Sequence, residues 1–162
     1  MRHEYCPLCG DKLTHRDLGD DKDVPWCERC SRPFFDHSSV CVICLVINED
    51  KNVLLIKQSY GADRFVTVAG YIKAGESAEE AVRREIAEET GLFVTSEEFL
   101  YSRYYEKHDN LMLAFACRVK NGEPRLSAEV REALWLDADS AHDRLHEESY
   151  LRTMIERYRD KI

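Results

Sequence analysis

The segment between Gly70 and Gly91 constrains the fold more than any other part of the chain. Ser77 is a preferred helix N-cap, and Glu80 stands three residues later, where its side chain can complete a capping box. Gly91 has the residue type that commonly ends a helix in the left-handed conformation. These signals predict a helix of about four turns between Ser77 and Gly91.

The second half of this predicted helix is strongly acidic. Glu85, Glu88 and Glu89 are spaced i, i+3 and i+4, so their carboxylates project from one face. Three clustered anions repel one another, and a hard cation such as Mg²⁺, which prefers oxygen ligands, would relieve that repulsion. These residues by themselves are compatible with a metal site or with an ordinary solvated acidic face.

The spacing of the whole segment resembles the signature of the Nudix hydrolase family, G-x5-E-x7-R-E-U-x-E-E-x-G-U, in which U is apolar. Every specified position is filled, by Gly70, Glu76, Arg84, Glu85, Ile86, Glu88, Glu89, Gly91 and Leu92. A match of this length is far more specific than a bare acidic cluster. The resemblance implies an α/β fold, namely an α/β/α sandwich with a mixed sheet. It also implies hydrolysis of a nucleoside diphosphate linked to another moiety.

The same resemblance implies roles for individual residues. The three glutamates would bind Mg²⁺ or Mn²⁺, with the backbone carbonyl of Gly70 close to the same ion. Glu76 and Arg84 would form an ion pair that fixes the loop against the helix and orients the metal-binding carboxylates. The bound metal would activate a water that attacks phosphorus.

A base that deprotonates or orients this water could lie outside the signature. Glu129 is the candidate, because residues 129–136 resemble an E-x-x-x-A-x-W-F stretch in which some Nudix proteins place a further carboxylate ligand. Glu132 in the same stretch is a rival. An ordinary exposed glutamate is the alternative, since short patterns transfer poorly between proteins.

Two Cys-x-x-Cys pairs lie in the first 37 residues. Cys6 and Cys9 are followed by Cys27 and Cys30, at the spacing expected of a tetrahedral zinc site. Residues 1–37 have almost no apolar periodicity, so they cannot fold by burial alone, and zinc would supply the missing free energy. We expect a small structural zinc ribbon over this segment. A redox-active Cys-x-x-Cys is the alternative.

Residues 38–162 are expected to form the Nudix domain. Apolar alternation and turn residues predict its elements. The predicted strands are Val40–Ile47, Val53–Lys57, Phe65–Ala69, Phe93–Glu106, Leu111–Val119 and Ala133–Leu136, and the predicted C-terminal helices are Ala138–His146 and Tyr150–Lys161. Cys41, Cys44 and Cys117 fall in strands and are expected to be core residues.

A zinc ribbon followed by a Nudix domain resembles the NADH pyrophosphatase branch of the family. Residues 69–77 are similar to that branch's A-G-F-x-E-x-G-E-S, and residues 111–115 to its L-M-L-G-F. The resemblance implies a small nucleotide substrate such as NAD(H), ADP-ribose or a nucleotide sugar. It also implies a homodimer.

Two departures from that branch leave the substrate open. Lys73 replaces the usual acid, and the S-Q-P-W-P-F-P tract is reduced to Ser102–His108. Tyr104 or Tyr105 could stack on a base, and Arg103 could meet a phosphate. Strand alternation places only one of the two tyrosines on the pocket side. Both could instead simply pack, because strands favour aromatic residues.

The charge of the chain argues against nucleic acid as a default partner. Asp and Glu number 31 against 23 Lys and Arg, for a net charge of −8. The first residues contain no apolar signal region, and no apolar run approaches the ~18 residues of a membrane span. We therefore expect a cytoplasmic protein with no membrane partner. Two other functions stay open: a nucleotide-sensing or RNA-binding regulatory module, and an RNA 5′-cap hydrolase acting on NAD caps.

Overall fold

The computed structural model describes residues 4–35 and 37–162. The chain divides into two compact units, Met1–Ser39 and Val40–Ile162. Residues 1–3 and 36 of the predicted ribbon segment lie outside the described residues. No helix of the described ranges is long and apolar enough to cross a membrane.

The first unit is a small three-stranded antiparallel sheet. Its strands are β1 (Thr14–Leu18), β2 (Asp21–Cys27) and β3 (Arg32–Pro33), in the order β1-β2-β3. The buried cluster beside it contains Cys6, Leu13 and Cys27. Such a small apolar core contributes little free energy, so this unit needs a further source of stability.

The second unit is built on a six-stranded sheet. Its strands are β4 (Ser39–Ile47), β5 (Val53–Gln58), β6 (Val68–Tyr71), β7 (Val94–Tyr105), β8 (Asn110–Val119) and β9 (Val130–Leu136). The strand order is β7-β8-β4-β5-β9, and β6 pairs with β4 beside that path. The near-continuous apolar sequence of β4 matches its central position, where both faces are buried.

One face of the sheet packs against helix α1 (Ala78–Thr90). Val42, Cys44 and Val46 of β4 belong to the same buried cluster as Val82 and Ile86 of α1. These helix positions are one turn apart, so a single apolar stripe of α1 faces the sheet. The acidic side chains of α1 therefore lie on other faces of the helix.

The opposite face of the sheet packs against α2 (Ala138–Arg144) and α3 (Tyr150–Tyr158). Ile43, Leu45 and Ile47 alternate with the residues of the first cluster and share a buried cluster with Leu151 and Ile155. The sheet is therefore enclosed between helices, as predicted.

The ends of α1 are those predicted from sequence. The Ser77 side chain accepts a hydrogen bond from the Glu80 backbone N–H at 3.2 Å, and a Glu80 carboxylate oxygen accepts from the Ser77 N–H at 2.8 Å. Gly91 has φ +66°, and its N–H donates to the Ala87 carbonyl. The capping box and the glycine stop fix where the acidic helix begins and ends.

Several strand boundaries differ from prediction by one or two residues, and two strands, β6 and β9, begin three residues away from their predicted starts. β6 begins at Val68 rather than Phe65, because Val66 forms only an isolated bridge with Ile56. β9 begins at Val130, before the predicted Ala133, because Val130 and Glu132 pair with Gln58 and Lys57 of β5 although Arg131 and Glu132 interrupt the apolar pattern. Backbone pairing here is set by the neighbouring strand and not by local apolar pattern.

We expect Ser77→Ala to lower the free energy of unfolding by about 1 kcal/mol, because the Glu80 N–H loses its partner. Urea denaturation followed by circular dichroism would measure the loss. Ser77→Asp is the matched control, since aspartate also caps helices and should retain most of the stability. Equal losses in both variants would show that the cap hydrogen bond is not the source.

Candidate metal centres

Acidic side chains from two parts of the second unit open onto one cavity of about 890 Å³. Glu85, Glu88 and Glu89 of α1 line it. Gly70 of β6 and Glu129, which immediately precedes β9, line it as well. The structure thus brings together residues that are up to 59 positions apart in sequence, counted from Gly70 to Glu129 (129 − 70).

Glu89 is the most buried of these glutamates, with 6% of its surface exposed. Burial raises its pKa to about 8, and the charges of Glu85, Glu129 and Glu88 act in the same direction. Its Oε2 atom is buried and has no hydrogen-bond donor among the described residues. A hard divalent cation would offset both the burial and the repulsion, so this donor set fits such an ion.

Gly70 is in steric contact with the acidic helix. Its pairing with Val42 fixes the backbone of β6 beside α1. A Cβ atom at Gly70 would overlap the carboxylate of Glu85. Glycine therefore allows the Glu85 carboxylate to lie directly against the β6 backbone.

Arg84 links the loop after β6 to the acidic helix. Its Nε and Nη2 atoms donate to the two carboxylate oxygens of Glu76 at 2.6 and 2.9 Å. Nη1 donates to Glu85 at 2.6 Å, and Nη2 also donates to the Tyr71 carbonyl at 3.0 Å. The Arg84 hydrogen bonds, with a further one from the Lys73 N–H, lower the pKa of Glu76 to about 2.

The rival residues Glu129 and Glu132 have different surroundings. The Glu129 carbonyl accepts from the Ser59 N–H at 2.7 Å, and the Ser59 hydroxyl donates to the Ala128 carbonyl at 2.7 Å. These bonds tie the Glu129 backbone to the loop after β5. Glu132 instead pairs with Lys57 Nζ at 3.0 Å. Glu129, rather than Glu132, lies with the other carboxylates.

Strand β7 places its two predicted tyrosines differently. Tyr105 lines the carboxylate cavity, and its ring makes an edge contact with Tyr150 at a centroid distance of 5.6 Å. The Tyr104 hydroxyl donates to Asp109 at 2.7 Å. Tyr104 and Arg103 line a neighbouring cavity that Tyr105 also borders, and there the Arg103 guanidinium lies 5.3 Å from the Tyr150 ring centroid. Of these two tyrosines, only Tyr105 lines the carboxylate cavity.

Four further Tyr and Phe residues of this cavity were not predicted from the sequence: Tyr60, Phe65, Tyr71 and Tyr150. Tyr71 directly follows Gly70, and that adjacency could have identified it. Its hydroxyl accepts a hydrogen bond from the buried Asn110 side chain at 3.2 Å. Tyr150 begins α3, far from the acidic helix in sequence, and no local pattern marks it.

A second candidate metal centre lies in the first unit and is formed by Cys6, Cys9, Cys27 and Cys30. Their Sγ atoms all lie within 4.8 Å of one another. The Sγ atoms of Cys6 and Cys30 are 3.8 Å apart, and those of Cys9 and Cys27 are 3.5 Å apart. Sulfurs bound tetrahedrally at the Zn–S length would be separated by about 3.8 Å. The cluster therefore has the dimensions of a Cys₄ zinc site.

These thiols differ in how strongly the charged form is disfavoured, since burial is outweighed at one of them by hydrogen bonds from the Cys9 and Leu8 backbone, which lower the pKa of Cys6 to about 7. The hydrogen bond with Cys9, followed by burial, raises the pKa of Cys30 to about 12. A zinc ion binds thiolates and would reverse this effect. The cysteine cluster is thus suited to a cation rather than to four free thiols.

The remaining cysteines belong to the core of the second unit. Cys41 and Cys44 lie in β4 and Cys117 lies in β8, and all three are buried, as their strand positions predict. Burial also raises the pKa of Cys41. These residues therefore act as small apolar side chains.

Comparison with known proteins supports the same fold. The family model described as "NUDIX domain" matches residues 37–158. A protein named NAD-capped RNA hydrolase NudC, from Photobacterium profundum, is 30% identical over 135 residues, covering 83% of this chain and 50% of that protein. The protein of the same name from Stutzerimonas stutzeri is 28% identical over 159 residues, covering 97% and 56%. This chain spans about half the length of these relatives.

Solved structures show the fold independently. A NUDIX hydrolase from Nitrosomonas europaea superposes with a TM-score of 0.72 at 18% identity, covering 98% of this chain and 92% of that one. The NUDIX domain of Shewanella oneidensis NrtR, solved with ADP ribose, has a TM-score of 0.66 at 17% identity, covering 84% and 93%. At these identities the likeness concerns the fold alone, and it confirms the predicted α/β/α sandwich with a mixed sheet.

We expect Glu76→Gln to destabilise the protein in a pH-dependent way. The folded pKa of Glu76 is about 2, below an unfolded value of about 4.3. Its stabilising effect is therefore complete above pH ~4.3 and is lost as the pH falls towards 2. Thermal unfolding of wild type and variant between pH 7 and pH 3 should show a difference that narrows on acidification. Glu79→Gln, an exposed change on the same helix, should show no such narrowing, and a pH-independent gap for Glu76→Gln would contradict the assignment.

Proposed function

This chain belongs to the Nudix family, and on that basis we propose that it is a metal-dependent diphosphohydrolase. It would hydrolyse the diphosphate that links a nucleoside to a second moiety. The observation that carries the proposal is the buried Glu89 carboxylate, which lies beside other acidic side chains and whose Oε2 atom has no hydrogen-bond donor among the described residues. An ordinary solvated acidic face would leave that carboxylate exposed and would need no counter-charge.

Glu85, Glu88 and Glu89 would hold Mg²⁺ or Mn²⁺ together with the backbone carbonyl of Gly70. Carboxylate and carbonyl oxygens are the ligands that these hard cations prefer. When bound, the cations would neutralise phosphate charge and lower the pKa of a coordinated water. Attack by water requires no nucleophilic side chain, so no covalent enzyme intermediate is expected.

Arg84 and Glu76 would position the metal-binding carboxylates without touching the substrate. Arg84 holds Glu85 through Nη1, while the two-point ion pair with Glu76 fixes the guanidinium itself. This arrangement restrains the Glu85 carboxylate. Hydrogen bonds of this kind orient ligands and tune the affinity for metal.

Glu129 would accept the proton of the attacking water or orient that water. Its carboxylate lies in the same cavity as those of α1, and its backbone is held by Ser59. A positioned carboxylate within reach of the reacting water satisfies the first requirement for a general base. Glu132 is less suited to this role because it pairs with Lys57.

The substrate we propose is a dinucleotide or nucleotide sugar such as NAD(H) or ADP-ribose. Tyr105 could stack on a base or pack against a ribose within the cavity. Arg103 and Tyr104 would support this wall from the neighbouring cavity, since Arg103 contacts the Tyr150 ring. The name that the NudC relatives carry, NAD-capped RNA hydrolase, supports an NAD-linked substrate.

An NAD-linked RNA 5′ end is the second candidate, on the strength of that same name. The net charge of −8 weighs against extensive contact with an RNA backbone. Two cations of the first unit are also paired, since Arg16 lies 2.5 Å from Glu28 and Arg29 lies 3.6 Å from Asp11. An RNA substrate would then be recognised mainly through contacts with its NAD cap and less through contacts with its phosphate backbone.

We propose that residues 1–37 form a zinc ribbon and that residues 38–162 form the catalytic domain. Zinc would be structural, because four cysteine ligands leave no position for water or substrate. It would supply the folding free energy that the small core of the first unit lacks.

We expect Glu89→Gln to reduce kcat/KM by at least about 100-fold, because it removes charge from the metal site while preserving size. The measurement is hydrolysis of a panel of NADH, NAD⁺, ADP-ribose and nucleotide sugars with Mg²⁺ or Mn²⁺. Glu79→Gln provides the matched control, since Glu79 is exposed on the same helix. Full activity in Glu89→Gln, or turnover of no diphosphate by the wild type, would refute the catalytic proposal.

Freshly purified, reduced protein is expected to contain a single zinc ion per chain by elemental analysis. Cys27→Ala should abolish the zinc content, because Cys27 is fully buried within the four-sulfur cluster. Cys41→Ala should retain it, since Cys41 lies in β4. Absence of zinc from the wild type, or its retention in Cys27→Ala, would remove the Cys₄ assignment.

A further inference from the structure

Lys73 places a positive charge beside the acidic cavity. It lies in the loop between β6 and α1 and lines the same cavity as the glutamates of α1. Its Nζ atom is 3.8 Å from Glu88 Oε1, and both side chains are more than half exposed, at 63% and 56%. This ammonium is therefore a mobile charge at the site.

The backbone and the side chain of Lys73 are held very differently. The Lys73 N–H donates to Glu76 at 2.9 Å, and Glu76 is itself fixed by Arg84. The side chain, in contrast, has its loose ion pair with Glu88 and four rotatable bonds. The ammonium can thus change partners while its point of attachment stays in place.

Arg84, which lines the same cavity, cannot change partners in this way. Its guanidinium already donates to Glu76, Glu85, Glu88 and the Tyr71 carbonyl. Releasing it would leave part-buried carboxylates without their partner, which is costly. Lys73 would release only one exposed ion pair, and such pairs contribute little to stability.

We propose that Lys73 is a substrate-contacting residue whose ammonium exchanges Glu88 for a phosphate oxygen of the diphosphate. This inference rests on the proposed function. In the free protein Lys73 offsets the charge of Glu88 and opposes cation binding there, because like charges repel. Once cations occupy the carboxylates, a phosphate becomes the better partner for the ammonium. Lysine at this position, where the resembled branch has an acid, would add affinity for the diphosphate.

The test measures metal binding and substrate binding separately. Mn²⁺ affinity is followed by electron paramagnetic resonance without nucleotide. Affinity for an NAD analogue with a methylene group bridging the phosphorus atoms is then measured by calorimetry at saturating Mg²⁺. Lys73→Gln removes the charge, Lys73→Arg retains it, and Lys120→Gln makes the same change at an exposed residue beyond the end of β8.

The two affinities should move in opposite directions in Lys73→Gln. Mn²⁺ should bind about three- to tenfold more tightly, because a neighbouring positive charge is lost. The analogue should bind about tenfold more weakly, because a charge-assisted contact with phosphate is lost. Lys73→Arg should restore both affinities towards wild type, and Lys120→Gln should change neither.

Two outcomes would overturn the proposal. Tighter Mn²⁺ binding with unchanged analogue affinity would mean that Lys73 only neutralises Glu88. Weaker binding of both ligands would mean that Lys73 has a structural role. Glu89→Gln in the same Mn²⁺ titration separates this proposal from the catalytic one: unchanged Mn²⁺ affinity in that variant would refute the metal site itself, whatever Lys73 does.

Discussion

Several carboxylates share one cavity of the second unit and repel one another. The arrangement of the site depends on how the protein holds them together despite this repulsion. Glu89 is buried, and the charges of Glu85, Glu88 and Glu129 all act to disfavour its ionised form. The structure restrains this cluster through the Arg84 network rather than dispersing it. Such a cluster lowers the stability of the folded protein, and destabilising arrangements of this kind are common at sites of binding and reaction.

Local signals in the sequence were sufficient to locate the acidic helix. Its capping box and its glycine stop involve residues close together in the chain, so the ends of α1 could be predicted directly. Sequence also placed Tyr104 and Tyr105 on opposite sides of a strand, but the side facing the cavity depends on pairing with β8. Tyr150 was missed because its approach is decided by the packing of α3 on the sheet. Features that depend on long-range packing, such as the cavity-facing side of β7 and the position of Tyr150, could therefore not be predicted from the local sequence pattern.

The two units obtain stability from different sources. The second buries alternate residues of β4 against helices on both faces, so its core is continuous and apolar. The first has three buried residues in its cluster, two of them cysteines, and its cohesion would depend on the sulfur cluster. Redox conditions and zinc supply should thus affect the stability of the first unit far more than that of the second. The likeness to NudC proteins covers both units, with 97% of the chain matched.

Gly70 restricts substitution at the site, because the Glu85 carboxylate would have to move from its place beside Arg84 to make room for a Cβ atom. Every single-nucleotide change of a glycine codon that alters the amino acid adds at least a Cβ atom, and here that atom would overlap the Glu85 carboxylate. Even alanine, the smallest replacement that one nucleotide change allows, carries this Cβ atom. By contrast, a lysine codon such as that of Lys73 reaches arginine, glutamine and glutamate in one step. We therefore expect substitutions at Lys73, which change the charge at the edge of the cavity, to be tolerated more readily than substitutions at Gly70.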